Sequence, residues 1–390
     1  MIARTSQSVS RASDLNDMSD FLIVGGGIIG LLLARELSAA GASVTVIERG
    51  ECGKEASWAG GGIVSPLYPW RYTPAVTALA SSAQKEYPAL AKQLLDETGI
   101  DPEWERTGLL MLDAEDSNAA LAWAKGVGSA MHSLSSESIY QREPLLAPGY
   151  SEGLWMPDIA NIRNPRLLKA LLKSLQLQPR VRFLQHSSVT GFIQGTSGEE
   201  RSIEGVELLR NGQYEKVLGQ HAVVTAGAWT GRLFKSLSLD VDVHPVKGQM
   251  LLLKPAKQVL SSIVLSNGRY LIPRRDGHLL VGSTLEYTDF DKSTSEVAEQ
   301  SLYASALALI PKLESAQMIA HWAGLRPGAA QGIPYIGGVP GFRNLSVNAG
   351  QFRNGLVLAP ASAGLLADIL LGRAPRVDPL PYQLATGFSA

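Results

Sequence analysis

A glycine motif between an apolar run and a helical segment constrains the fold of this chain most strongly. Residues 21–24 (FLIV) form a short apolar run, as in a buried parallel strand. Gly25, Gly27 and Gly30 then supply the spacing G-x-G-x-x-G, and residues 28–40 have helical character. In such a unit the first glycine permits a tight turn, the second lets a pyrophosphate approach the helix N-terminus, and the third allows close helix–strand packing. The pattern predicts a Rossmann-like dinucleotide-binding unit.

The next two segments narrow the choice of cofactor. Residues 44–47 (VTVI) read as a second strand that ends in Glu48, whose carboxylate can accept both ribose hydroxyls and disfavours the 2′-phosphate of NADP. The glycine motif does not distinguish NAD from FAD. Residues 51–66 (ECGKEASWAGGGIVSP) are irregular and glycine-rich, whereas a compact NAD domain would continue into another helix. A segment lying along an extended cofactor favours FAD; the alternative is a flexible surface loop.

Length and composition exclude several classes of protein. A chain of 390 residues is too long for one comfortable core, so we expect two lobes. The formal net charge of -1 gives no electrostatic case for nucleic acid or an anionic membrane, and no apolar run reaches the roughly 18 residues of a membrane span. The single cysteine, Cys52, rules out an internal disulfide and is compatible with a cytoplasmic location. The six histidines lack metal-ligand spacing, so no metal site is expected.

The order of motifs along the chain resembles that of the glycine oxidase and D-amino acid oxidase group of FAD-dependent amine oxidoreductases. The resemblance extends from residue 21 to about residue 372, and its later motifs are more restrictive than the glycine motif. The matching stretches are FLIVGGGIIG, EASWAGGGI, VVTAGAWTG, HPVKGQMLLL, RYLIPRRDGHLLVGST, WAGLRPG, PYIGG and NAGQFRNGLVLAPASAGLLADIL.

The resemblance implies a mixed α/β fold, in which a Rossmann-like FAD-binding domain is interleaved with a substrate domain built on a large antiparallel sheet. We expect residues 1–17 to be a disordered extension and residues 373–390 a C-terminal tail. The FAD-binding domain is predicted from residues 18–85, 150–235 and 320–372, and the substrate domain from residues 86–149 and 236–319. The β-rich stretches VHPVKGQMLLLK and HLLVGSTLEY agree with a sheet in the second domain.

The resemblance also implies which residues contact a non-covalently bound FAD. Val189 matches a position that holds the adenine end through its backbone. The turn 351–357 lies between a strand and a helix whose positive N-terminal end, beside Gly355, would stabilise reduced flavin. The full predicted set is Gly25, Gly27, Ile28, Ile29, Gly30, Glu48, Arg49, Ala56, Ser57, Gly61, Gly62, Ile63, Val189, Gln351, Phe352, Arg353, Asn354, Gly355, Leu356 and Val357.

Three residues match the family's substrate-binding positions. Arg326, in HWAGLRPG, matches the arginine that pairs with the substrate carboxylate, and a planar guanidinium can grip a carboxylate with two parallel hydrogen bonds. Tyr270 matches a tyrosine whose hydroxyl bonds the same carboxylate, and Arg353 matches a second arginine beside the flavin. The structural alternatives are an Arg326 paired with a buried carboxylate and a Tyr270 packed in the core. Arg274 and Arg275 precede an Asp-Gly turn and are predicted to lie on the surface.

The walls of the substrate site are predicted from three further positions. Ile63 and Leu285 are apolar and bulky, with Leu285 standing where relatives carry a methionine, so a small pocket is expected. Gly268 replaces a larger residue near the tyrosine. This change predicts a wider entrance that admits sarcosine, N-ethylglycine or small D-amino acids as well as glycine.

These observations predict an oxidase that deaminates glycine and other small amines by hydride transfer from Cα to flavin N5. Oxygen would be reduced to hydrogen peroxide, the products would be glyoxylate and ammonia, and the glycine imine would supply thiamine thiazole synthesis. The alternatives are a D-amino acid dehydrogenase that passes electrons to quinone, and a flavin-bound protein without turnover. The resemblance also implies a homotetramer.

Overall fold

The computed structural model describes residues 18–197 and 200–384. The predicted extension 1–17 lies outside the described residues, as does the end of the C-terminal tail, residues 385–390. In chain order, the strands are β1 Ser19–Val24, β2 Val44–Ile47, β3 Leu109–Leu112, β4 His132–Ser135, β5 Glu152–Met156, β6 Val181–Leu184, β7 Ser187–Ser197, β8 Glu200–Arg210, β9 Gln213–Val224, β10 His244–Lys254, β11 Ile263–Ser266, β12 Arg269–Pro273, β13 Leu279–Gly282, β14 Gln317–Gly328, β15 Tyr335–Gly338 and β16 Leu345–Ala349. The α-helices are α1 Ile28–Ala39, α2 Ala56–Ala59, α3 Pro74–Thr98, α4 Ser117–Val127, α5 Ser136–Arg142, α6 Asn164–Gln176, α7 Thr230–Phe234, α8 Glu296–Leu309 and α9 Ala359–Leu370.

The first sheet contains the predicted dinucleotide-binding unit. Its strand order is β15-β16-β9-β1-β2-β6, and β1, β2, β6, β9 and β16 pair in parallel. The inner strand β2 is buried along its whole length, as its apolar sequence predicts. Strand β9 continues beyond this parallel region to pair with the hairpin β7–β8. The carboxyl ends of β1 and β9 therefore meet at one edge, where α1 begins.

The second sheet has the strand order β14-β10-β13-β12-β11-β3-β5-β4. Its pairs are antiparallel except for β11 with β3. Two of its strands lie wholly or mostly in ranges that we predicted for the FAD-binding domain, namely β5 and β14. The antiparallel sheet therefore includes strands from segments that we assigned to the FAD-binding domain: β14 at one edge, and β5 between β3 and β4. The domain boundaries stay a prediction.

Helices cover the face of the first sheet that β1 and β2 present. Buried apolar residues of α1, α3, α6 and α9 form one continuous core cluster against that sheet. Helix α3 has clear end signals, since Thr73 caps its N-terminus, Pro74 occupies the first turn, and Gly99 ends it at φ 70°. Among the described residues, no helix combines the length and apolar character that crossing a membrane requires.

Candidate active site

A cavity of about 620 Å³ runs from the carboxyl edge of the parallel sheet to the antiparallel sheet. Such an edge is where open α/β sheets bind nucleotides. The predicted cofactor and substrate residues that line it are Gly25, Gly27, Ile28, Ile29, Glu48, Arg49, Ala56, Ser57, Gly61, Gly62, Ile63, Val189, Tyr270, Arg326, Gln351, Phe352, Arg353, Gly355, Leu356 and Val357. Gly30, Asn354, Leu285 and Gly268 were predicted for the site but do not line the cavity.

Two glycines of the motif are required by close backbone contacts. Gly25 has φ +116°, and a Cβ atom there would lie 2.4 Å from the carbonyl oxygen of Thr225. A Cβ atom on Gly30 would lie 2.0 Å from the carbonyl oxygen of Gly25. Real Cβ atoms do not approach so closely, so any side chain at either position would push α1 away from the strands. Gly30 thus shapes the turn from behind the cavity rather than lining it.

The N-terminus of α1 faces the cavity, and its own N-cap residue makes no side-chain capping bond. Its N-cap residue, Gly27, provides no side-chain acceptor, and the backbone N–H of Ile28 donates to Ser57 Oγ at 3.0 Å. The first N–H groups of a helix have no partner within the helix, and the helix dipole adds positive character there. This end of the cavity can accept a phosphate group.

The Glu48 carboxylate is held at the end of β2. It is 8% exposed and accepts hydrogen bonds from the backbone N–H groups of Gly26 at 2.8 Å and Gly50 at 3.0 Å. Each carboxylate oxygen has a further lone pair, and Glu48 lines the cavity. It is therefore fixed in place as an acceptor of hydroxyl groups.

The glycine-rich segment 60–62 is anchored by Arg274, which corrects one prediction. We placed Arg274 on the surface, but it is only 8% exposed. It donates to Gly61 O at 2.6 Å, Asn161 Oδ1 at 2.8 Å and Ile162 O at 3.1 Å, and its burial lowers its pKa to about 10. Arg275 is exposed as predicted. A sequence pattern cannot separate the two, because both follow the end of β12 at a turn, where the direction of each side chain depends on the folded backbone.

The C-terminal motif forms the strand β16, a turn and the helix α9. Asn348 Oδ1 accepts hydrogen bonds from Gln351 Nε2 at 2.6 Å and from Ser362 Oγ at 2.8 Å, so the turn is tied to both flanking elements. The helix begins at Ala359, four residues after Gly355, so the expectation of a helix N-terminus beside Gly355 was wrong. A short 3-10 turn, Phe352–Asn354, occupies that place.

Arg326 lies on β14, with its guanidinium at the antiparallel end of the cavity. It donates to Ser283 Oγ at 2.7 Å and to the carbonyl oxygens of Lys247 and Thr284 at 3.2 Å each. None of the ion pairs between described residues involves Arg326, so the structural alternative of a buried carboxylate partner does not apply. Burial lowers the pKa of the Arg326 guanidinium. Neutral acceptors hold this cation in place, and its charge is available to an anion in the cavity.

Gly248, which the sequence reasoning missed, makes room for this guanidinium. It lies on β10, which pairs with β14, and a Cβ atom on Gly248 would lie 2.2 Å from both terminal nitrogens of Arg326. The guanidinium therefore lies flat over the backbone of the neighbouring strand. Ser283 was also missed, although it lines the cavity and accepts from Arg326. Only the pairing of distant strands reveals either role.

Tyr270 and Arg353 line the cavity with Arg326, but Tyr270 is buried and Arg353 is exposed. Tyr270 is 7% exposed, lines the cavity, and has its hydroxyl 3.4 Å from Met250 Sδ, a weak acceptor. The hydroxyl can therefore donate more strongly to a ligand. Arg353 is exposed, lines the cavity, and lies close enough for its charge to lower the pKa of Arg326. Two guanidinium groups thus make this end of the cavity electropositive.

Two predictions for the substrate walls do not fit the structure. Leu285 is 44% exposed and outside the cavity. Gly268 has φ +73° in the turn between β11 and β12, and its backbone N–H donates to Tyr68 Oη at 3.1 Å. Its glycine serves the turn conformation rather than a wider entrance. Ile63 does line the cavity, together with Leu67 and Leu325.

Comparison with known proteins agrees with this geometry. The family model described as "DAO: FAD dependent oxidoreductase" matches residues 20–369. The chain belongs to this FAD-dependent oxidoreductase family. A glycine oxidase from Pseudomonas aeruginosa is 52% identical over 93% of this chain and 98% of that protein. A glycine oxidase from Pseudomonas putida is 50% identical over 93% of this chain and 97% of that protein.

A solved structure and a composite relative extend the comparison. The crystal structure of glycine oxidase from Geobacillus kaustophilus superposes with a TM-score of 0.88 at 28% identity and covers 95% of this chain and 100% of that chain. The "Bifunctional protein ThiO/ThiG" of a Nostoc species is 29% identical over 93% of this chain, which spans 54% of that longer protein. The mixed α/β fold and the FAD dependence predicted from the sequence are thereby confirmed.

The residues of this FAD-dependent oxidoreductase fit the cofactor of its family. The glycine turn has no room for side chains at Gly25 and Gly30. The N-terminus of α1, with a glycine as its N-cap, suits a pyrophosphate, and Glu48 is a fixed acceptor for ribose hydroxyls. The cavity continues from there to the turn 351–357 and Arg326. FAD is an extended molecule, and this one cavity has a matching group at each end.

Proposed function

We propose that this protein is an FAD-dependent oxidase of glycine and other small amino acids. The observation that carries the proposal is the environment of the Arg326 guanidinium. This guanidinium is largely buried and faces the same cavity as the dinucleotide cradle; within residues 18–197 and 200–384 it donates only to neutral acceptors. Similarity to proteins named glycine oxidase, at 50–52% identity over most of the chain, supports the same substrate class.

The carboxylate of the amino acid would bind to Arg326 and Tyr270. A bidentate pair with the guanidinium fixes the orientation of the carboxylate plane, and the Tyr270 hydroxyl adds a third hydrogen bond. Once the carboxylate balances the charge of Arg326, Arg353 adds a second positive charge near the substrate. This charge disfavours the protonated amine, so it lowers the pKa of the substrate ammonium and favours the reactive neutral amine.

The chemistry that FAD supplies when bound is acceptance of a hydride from the substrate Cα and return of the electrons to oxygen as hydrogen peroxide, leaving an imine that hydrolyses to glyoxylate and ammonia. The chain contributes orientation and exclusion of water. Ile63 and Leu67, which pack in one cluster with Tyr270, and Leu325 provide apolar lining of the cavity, and the carboxylate anchor fixes the position of the substrate Cα. No side chain is assigned as a general base.

The substrate range and cellular role follow from the same proposal. With Leu285 and Gly268 outside the cavity, the case for sarcosine, N-ethylglycine and small D-amino acids rests on the size of the cavity alone. Supply of the glycine imine to thiamine thiazole synthesis is supported by similarity to the bifunctional ThiO/ThiG protein. The homotetramer and the cytoplasmic location stay predictions.

Anaerobic mixing of the purified holoenzyme with glycine tests the activity. We expect the visible flavin absorbance to bleach, and then to recover with stoichiometric hydrogen peroxide when air is admitted. Bleaching that persists in air would instead indicate a dehydrogenase that uses another acceptor. Absence of bleaching with glycine, sarcosine, D-alanine and D-proline would refute the proposal. The variant R326A provides the matched control, because it retains the cofactor cradle and lacks the carboxylate anchor.

A further inference from the structure

The loop formed by residues 283–295 connects β13 to α8 and carries part of the arginine's support. Its first two residues, Ser283 and Thr284, accept hydrogen bonds from Arg326 through a hydroxyl and a backbone carbonyl. Thr284 Oγ1 also accepts from the backbone N–H of Gln249 at 2.9 Å. The position of this loop therefore decides where two of the acceptors of Arg326 lie.

The loop is fastened to β10 next to the arginine. The backbones of Lys247 and Glu286 exchange two hydrogen bonds of 2.9 Å. The side chain of Gln249 donates to Glu286 Oε1 at 2.9 Å and accepts from the backbone N–H of Ser295 at 3.0 Å. Lys247 also provides, through its carbonyl, the third acceptor of Arg326. The loop and β10 thus form a single support around the guanidinium.

The Lys247 ammonium joins β10 to the loop through two acidic residues of the loop. Lys247 is 4% exposed, an unusual burial for a lysine, and its Nζ lies 2.8 Å from Asp291 Oδ2 and 3.8 Å from Glu286 Oε2. Asp291 itself is exposed and also accepts hydrogen bonds from Ser293. A buried ammonium that loses its close partner must gain water or another anion, and either requires the loop to move.

We propose that the Lys247–Asp291 ion pair is a positioning element for the substrate-binding arginine: it holds the loop 283–295 on β10, so that Ser283 and Thr284 keep the Arg326 guanidinium flat over Gly248. This inference rests on the proposed function, since it takes a carboxylate as the ligand of Arg326. It assigns no contact with substrate to Lys247 or Asp291. Their effect reaches the substrate only through the orientation of the arginine.

The test compares D291N with wild type as purified holoenzymes. Acetate serves as an unreactive carboxylate probe, and its Kd is measured from the change it produces in the flavin absorption spectrum. We expect the acetate Kd and the glycine KM of D291N to rise about tenfold, with kcat within about threefold of wild type. D291E restores the carboxylate and is expected to return the acetate Kd and the glycine KM to within twofold of wild type. K247M removes the ammonium and is expected to raise the acetate Kd about as much as D291N does.

The control is D96N, which breaks the exposed Lys92–Asp96 pair on α3, an ion pair of 2.6 Å remote from the cavity. It should leave acetate binding unchanged. An acetate Kd within twofold of wild type in both D291N and K247M overturns the inference, as does a D291E variant that is as impaired as D291N. Wild-type enzyme that binds acetate and does not oxidise glycine refutes the proposed substrate, while the acetate comparison still decides the positioning role. Wild-type enzyme that neither binds acetate nor oxidises glycine overturns both.

Discussion

Replacement of Gly248 by alanine probes the carboxylate anchor directly. The added Cβ atom would lie 2.2 Å from both terminal nitrogens of Arg326, whereas ordinary contacts begin at 3.4 Å. The guanidinium therefore has to move by about 1.2 Å or the two strands have to separate. Strand β10 is paired on both sides, so the side chain is the part that yields. G248A should displace Arg326 and leave the sheet intact.

The size of the effect follows from the hydrogen bonds that depend on this geometry. A displacement of about 1 Å breaks the short bond to Ser283 and misaligns the pair with a substrate carboxylate, and a hydrogen bond to a charged group contributes about 1.5–3 kcal/mol. Each 1.4 kcal/mol corresponds to about a factor of ten. We therefore expect kcat/KM for glycine to fall about 10- to 100-fold, with KM affected most.

Steady-state oxygen consumption at varied glycine concentration measures this loss, and the flavin absorbance of the purified variant shows that FAD is retained. The matched control is G338A, because Gly338 also lies in a strand and a Cβ atom there would contact nothing within 4 Å. We expect G338A to keep wild-type kinetics. A G248A variant whose kcat/KM stays within threefold of wild type would show that the guanidinium does not depend on this gap.

Three further substitutions test other parts of the structure. G30A places a Cβ atom 2.0 Å from Gly25 O, so the purified protein should lack FAD, as its ratio of visible to ultraviolet absorbance will show. R326K keeps the charge and loses the planar pair, so we expect the glycine KM to rise at least tenfold in steady-state assays and FAD content to stay unchanged. Burial lowers the pKa of His221 from 6.5 to about 4, so between these pH values the unfolded chain binds this proton and the folded chain does not. The free energy of unfolding should therefore fall by on the order of 3 kcal/mol as the pH drops from 6.5 to 4. Urea unfolding at several pH values measures this dependence, and H221Q should lack it.

Local patterns were sufficient where one short segment decides the structure. The spacing of Gly25, Gly27 and Gly30 between a strand and a helix predicted the turn, and the structure shows the backbone contacts that require it. The acid at the end of β2 and the strand–turn–helix after residue 345 were also readable, because strand, turn and helix each have a characteristic period and composition. Arg326 was identified through a motif shared with the family, and the structure places it in the cavity with Tyr270.

The sequence did not predict the roles of residues that depend on contacts between segments far apart in the chain. Gly248 looks like any strand glycine until β10 is paired with β14 and the guanidinium of Arg326 lies over it. We predicted that Arg274 would be exposed like Arg275 and that Leu285 would line the site. Both residues lie in loops that follow strands, where only the folded backbone shows the direction of a side chain. The sequence by itself determined the nucleotide cradle and the charge of the anchor. Only the tertiary structure decided what surrounds that charge, since the surrounding groups come from strands and a loop far apart in the chain.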